Sequence, residues 1–208
     1  MQDKLIKLMK VLKMIIFLPV EILFVLLYVS SSQRKKINMD LEAFARHHHR
    51  TVTNRNRLLI LLLELMWVVE FRKLFLYRIG GIARYLMDSR VTVGIDVPRD
   101  KFGGGLYIQH GFGIVVSARS VGENCWINQM VTIGYRSNGC PTIGNNVRIG
   151  AGAIIIGDVK IGNNVSIGAG AIVLDDLPDN CTVASPKATI IKWKEPLPES
   201  KETAEGLL

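Results

Sequence analysis

The chain has 208 residues, 49% of them hydrophobic, which suits one substantial domain with an appendage and is too apolar for a disordered chain. The formal charge of +8 is unevenly placed: residues 1–90 carry 16 Lys/Arg against 7 Asp/Glu, and residues 91–208 carry 10 against 11. Basic and apolar character coincide in the N-terminal part without stacking aromatics spaced among the basic residues, which argues against nucleic acid and for an anionic membrane surface.

The first predicted element is the apolar stretch "MIIFLPVEILFVLLYV" (14–29), bracketed by Lys4, Lys7, Lys10 and Lys13 and by Arg34, Lys35 and Lys36. As one helix its 16 residues reach about 24 Å, short of a ~30 Å hydrocarbon core. Pro19 would kink it, and Glu21 is costly at mid-depth. Residues 1–36 are read as a bent, basic-rimmed helix on the cytoplasmic leaflet, placing the chain in the cytoplasm at the inner face of the cell membrane. A full span, a signal peptide and a helix buried in the core or at a subunit interface are the alternatives.

Residues 37–94 read as a helical region. His47, His48 and His49 are adjacent, so on a helix they point about 100° apart and cannot share one metal ion; a solvated face is expected. The stretch "RLLILLLELMWVVEFRKLFLYRIGGIARYLM" (57–87) is apolar, then amphipathic, and breaks at Gly80-Gly81.

From residue 143 an aliphatic residue returns every six positions: Ile143, Ile149, Ile155, Ile161, Ile167 and Val173. Val147, Ala153, Val159, Val165 and Ala171 follow four residues behind these. A period of six fits neither a helix nor an alternating strand. It fits short strands joined by turns, stacked in coils that bury a continuous aliphatic column. Asn145-Asn146 and Asn163-Asn164 lie 18 residues apart, which predicts three hexapeptides per coil and one shared corner in the left-handed conformation that asparagine tolerates. Ten residues separate Ile133 from Ile143, so four extra ones bulge out in "GYRSNGCPT" (134–142), as an exposed loop suited to cover a ligand. Of three cysteines, Cys125 and Cys181 are expected to be buried, and no disulfide framework is suggested. Residues 195–208 read as a polar tail.

The repeat, over about residues 106–190, resembles the hexapeptide-repeat acyltransferases. That resemblance implies a mainly β fold, a left-handed parallel β-helix over 95–194 behind an N-terminal α-helical region. "IDVPRDKFGGGLYIQHGFGIVV" (95–116) and "NQMVTIG" (128–134) are similar to the serine acetyltransferase branch, in which a histidine before "GIVV" is the general base and an upstream aspartate orients it. The matching residues are His110 and, with a one-residue gap, Asp96. The chemistry suits: a base near pKa 7 takes a hydroxyl proton, and a carboxylate on its far nitrogen fixes the tautomer. Gly111 and Gly113 are expected to leave room for substrate and to offer backbone N–H groups near the reacting carbonyl.

In that branch the residue before the histidine is an aspartate, and a second histidine lies in the following loop; here these places hold Gln109 and Cys140. Both changes remove ionic groups, which favours a sugar over a zwitterion. Gln109, Cys140 and Arg136 are the expected acceptor contacts. The resemblance also implies acetyl-CoA in a groove between subunits of a homotrimer, along Gly134, Tyr135, Ala151, Ala169 and Lys187. "EFRKLFLYRIG" (70–80), together with "GGGLYIQHGFGIVV", looks more like the O-acetyltransferases of capsule and exopolysaccharide synthesis in that branch. The expected function is thus metal-free acetyl transfer from acetyl-CoA to a sugar hydroxyl. A serine O-acetyltransferase of cysteine biosynthesis and a non-catalytic membrane-bound scaffold are the alternatives.

Overall fold

The computed structural model describes residues 16, 18–81 and 92–191. The basic residues 1–13, the end of the second predicted helical stretch and the tail 195–208 lie outside the described residues. Helices come first: α1 over 18–30, α2 (Arg34–His47), α3 (Arg57–Trp67) and α4 (Val69–Ile79). Short strands then wind into a parallel β-solenoid of about five turns with three faces.

Face A stacks β1 (Val93–Asp96), β3 (Ile114–Ser117), β6 (Thr132–Gly134), β9 (Ile154–Ile156) and β12 (Ile172–Val173). Face B stacks β4 (Ser120–Val121), β7 (Thr142–Ile143) and β10 (Lys160–Ile161). Face C stacks β2 (Tyr107–Ile108), β5 (Trp126–Ile127), β8 (Arg148–Ile149), β11 (Ser166–Ile167) and β13 (Thr182–Val183). Arg148 pairs with Ser166 and Ile154 with Ile172, one coil apart at the period predicted from the asparagines. Across the insertion the step lengthens by four, with Trp126 opposite Arg148 and Thr132 opposite Ile154. The extra residues leave the coil as a loop closed by an Arg136–Gly139 bridge.

The hexapeptide positions explain the interior. Ile143, Ile149, Ile155, Ile161, Ile167 and Val173 are all buried, as are Val147, Ala153, Val159, Val165 and Ala171. Between faces B and C, Asn146 and Asn164 take positive φ values of 56° and 57°, in line with Asn124 and Asn180. Their amides form a ladder: Asn146 Nδ2 donates to Asn164 Oδ1 at 3.0 Å, and Asn164 Nδ2 to Asn180 Oδ1 at 2.9 Å. Each corner thereby satisfies the next.

The helices share one core with the first coils. Arg78, on α4, is wholly buried; its Nε donates to Asp40 Oδ2 at 2.9 Å and its Nη1 to the Phe102 carbonyl at 2.8 Å. The Gly103 carbonyl accepts from Nη2, and Asp40 Oδ1 accepts from the Leu106 N–H at 3.0 Å. Tyr77 Oη donates to the Val97 carbonyl at 2.6 Å. Two helices are thus clamped to the chain that enters the solenoid.

Three expectations change here. Of the three histidines expected on a solvated face, His49 is exposed but His47 and His48 are half-buried. His47 stacks on Tyr107 at 3.8 Å between centroids, and His48 Nδ1 lies 3.0 Å from the fully buried Glu64 carboxylate, which Arg50 also contacts. Adjacent residues on one helix reached two different neighbours, a β-strand and α3, which no single-helix picture contains. Secondly, Cys125 is buried and its thiol is pushed up to about 11 by desolvation, but Cys181 is only half-buried because it lies near the open C-terminal end. Thirdly, α1 packs one face inward: Glu21, Phe24 and Tyr28 are buried, with Phe24 against Phe75 on α4 at 5.7 Å. Its other face leaves Leu18, Ile22, Leu26 and Val29 exposed. Among the described residues, no helix is long and apolar enough to cross a membrane.

The His47 contact carries a pH dependence. Burial lowers its pKa below the ordinary 6.5, and Arg46, His48, Arg148 and His49 push the same way. The folded protein therefore resists protonation that the unfolded chain accepts, so this contribution is present above about 6.5 and is lost as pH falls towards the lowered value. The melting temperature should drop more steeply below pH ~6.5 in the wild type than in His47→Phe, which keeps the stack without the titration. Parallel curves for the two proteins would refute this.

Candidate active site at the His110 corner

His110 occupies the corner between faces C and A, directly after β2, and its side chain is exposed. Its φ of 53° is left-handed, a conformation in which histidine is enriched among non-glycine residues. The turn is tied on several sides. The His110 carbonyl accepts from the Phe112 N–H at 2.7 Å, and the Phe112 carbonyl accepts from the Met130 N–H at 3.0 Å in the next coil. The Gly111 N–H donates to Glu70 Oε1 at 3.1 Å, and the Gly113 N–H to Thr92 Oγ1 at 2.6 Å. The two glycine N–H groups expected to face a reacting carbonyl are therefore engaged inside the protein. Gly113 is also left-handed, with φ 63°, and a Cβ there would press on the flexible end of Met130, 2.5 Å from its Sδ.

Down this corner the side chains become small. The Gly152 N–H donates to the Gln129 carbonyl at 3.0 Å, and the Gly170 N–H to the Ala151 carbonyl at 2.9 Å. Ala151 and Ala169 thus stand on consecutive coils below His110, along one edge, with Gly152 and Gly170 in left-handed turns beside them. Gln129 Oε1 is buried with no hydrogen-bond partner, an acceptor left open in the same column. The residues expected to contact the donor's arm are therefore partly brought together.

The others lie elsewhere. Asp96 ends β1 opposite Ser117, at the far end of β3 from the histidine turn, roughly 10 Å along the strand. It lines a cleft with Tyr77, Val97, Pro98 and Arg99 and makes no hydrogen bond to His110. Gly134, Tyr135, Arg136 and Cys140 also sit beyond face A, at the corner with face B, where Tyr135 is 74% exposed. Gln109 points outward from face C, and its Oε1 accepts from Trp126 Nε1 at 3.2 Å. Lys187 is exposed just beyond β13, near a cavity of about 330 Å³ at the C-terminal end of the solenoid that includes Ala184, Ser185 and Pro186.

Within one chain the expected site is split between two edges. One carries His110, Ala151 and Ala169; the other carries Asp96 and the loop. Sequence reasoning missed Glu70, whose carboxylate reaches the histidine turn from 41 residues away. It also passed over Gln129 in "NQMVTIG", although a polar residue one coil below the histidine was the available signal.

Comparison with known proteins bears on the chemistry. The family described as Bacterial transferase hexapeptide (six repeats) matches residues 140–175. A serine acetyltransferase of Helicobacter pylori is 40% identical over 117 residues, covering 53% of this chain and 68% of that protein. A serine acetyltransferase of Synechococcus elongatus is 40% identical over 125 residues, and the chain spans about half of its length, 51%. Among solved structures, the Neisseria gonorrhoeae serine acetyltransferase in complex with serine matches with a TM-score of 0.56 at 28% identity, covering 79% of this chain and 71% of that one. Soybean serine acetyltransferase complexed with serine gives 0.56 at 28%, over 76% and 69%.

These relatives overturn the sugar acceptor and the capsule or exopolysaccharide assignment. That expectation rested on Gln109 and Cys140. The missing charges at Gln109 and Cys140 do not mean that the site lacks charge, and the Gln109 amide oxygen is engaged by Trp126 Nε1.

Proposed function

The chain belongs to the serine acetyltransferase family, and from that premise we propose that it transfers the acetyl group of acetyl-CoA to the hydroxyl of serine. The observation that carries this reading is His110: an exposed imidazole, held in a left-handed turn at the head of a column of small residues. The imidazole accepts the serine hydroxyl proton as the oxygen attacks the thioester carbonyl. The C–S bond then breaks, the imidazolium returns the proton to the departing thiolate, and O-acetylserine and CoA leave. No group on the protein is acylated.

The edge split supports a site shared between subunits of a homotrimer. Val115, Ile172 and Leu174 project from face A and are 47%, 65% and 50% exposed, an apolar surface that a neighbouring copy would cover. Packing an edge of one copy against the other edge of the next would bring Tyr135 and Arg136 towards His110. Ala151 and Ala169 leave space for the pantetheine arm, and Lys187 is a cation for the CoA phosphates.

The test is CoA thiol release measured with L-serine and with a panel of sugars as acceptors. Serine should be the substrate turned over; release with sugars and not with serine would reverse the reading.

A further inference from the structure

A serine acceptor carries an ammonium group, and neither Gln109 nor Cys140 can pair with it. Glu70 can. It lies in the first turn of α4, where a carboxylate is favoured by the helix dipole, and it is half-buried. Its Oε1 takes the Gly111 N–H at 3.1 Å, directly beside His110. Among the described residues, no cationic side chain forms an ion pair with it, unlike Asp40, Glu42, Glu64 and Asp158. Its position is not loose, because α4 is pinned to the solenoid through Arg78 and Tyr77. A fixed, half-buried carboxylate beside an exposed base is left with one oxygen free for a cation.

We propose that Glu70 is the specificity residue for the acceptor, its carboxylate binding the α-ammonium of serine while His110 acts on the hydroxyl. This rests on the serine reading above. The ammonium and hydroxyl of serine are separated by two carbons, a spacing that suits one group held by the carboxylate bonded to the Gly111 N–H and the other by the neighbouring His110. The carboxylate thereby supplies, from a helix, the charge that Gln109 and Cys140 lack.

The experiment compares wild type and Glu70→Gln with L-serine and with glycerate, in which a hydroxyl replaces the ammonium. Glutamine keeps an oxygen for the Gly111 N–H, so the turn survives. The KM for serine should rise about 10- to 100-fold with kcat changed by less than about threefold, the scale of one charge-assisted hydrogen bond. The preference for serine over glycerate should fall by the same factor, and Glu70→Asp should recover part of it. An unchanged serine KM, or equal losses with both acceptors, would overturn the assignment of Glu70 and leave the serine reading standing. Wild-type enzyme that fails to acetylate serine would overturn both.

Discussion

Replacing His110 by alanine should lower turnover at least ~10²-fold, the scale of removing a general base, while the folded state persists. The imidazole is exposed and fills no core space, so its loss opens no cavity. The backbone is the only complication: φ is 53°, and alanine is less at ease there than histidine. His110→Asn separates the two effects, since asparagine tolerates the left-handed region and cannot act as the base. Both variants should lose activity together, with binding of acetyl-CoA retained. An asparagine variant with the wild-type rate would place the base elsewhere.

The largest effect on stability is expected at Asp40 and Arg78. Asp40→Ala would leave a wholly buried guanidinium without its carboxylate, a change that costs about 3–5 kcal/mol. For a chain of this size that corresponds to a melting temperature lower by roughly 6–20 °C. Asp40→Leu combined with Arg78→Met removes both charges and should recover part of the loss. Recovery stays incomplete, because the Phe102 and Gly103 carbonyls and the Leu106 N–H lose their partners as well. Thermal unfolding followed by circular dichroism checks both steps; a single variant as stable as wild type would mean that the clamp is not needed.

The solenoid was legible in the sequence because its signal is local and repeated. Each of Ile143, Ile149, Ile155, Ile161, Ile167 and Val173 reports the same inward position, and the asparagine pairs report the same corner. Four extra residues before Ile143 were readable as a loop for the same reason. What escaped was everything that depends on how separate elements meet. Glu70 approaches Gly111 only because α4 docks on the first coils, and nothing in residues 68–72 announces it. His47 and His48 were misread because their partners, Tyr107 and Glu64, come from a strand and another helix. Asp96 was matched along the chain, but the register sets it opposite Ser117 and so away from the histidine turn. Gln109 and Cys140 show the same limit in reverse: their identities were visible, but a charge brought from another element, such as Glu70, was not.

The most direct measurement follows the acetyl carbon itself. Acetyl-CoA labelled with ¹³C at the carbonyl is mixed with L-serine and the protein, and the label is followed by NMR. Appearance of O-acetylserine in step with CoA release, abolished in His110→Asn, is the predicted result. CoA release that yields only acetate, or an ester on some acceptor other than serine, would contradict it.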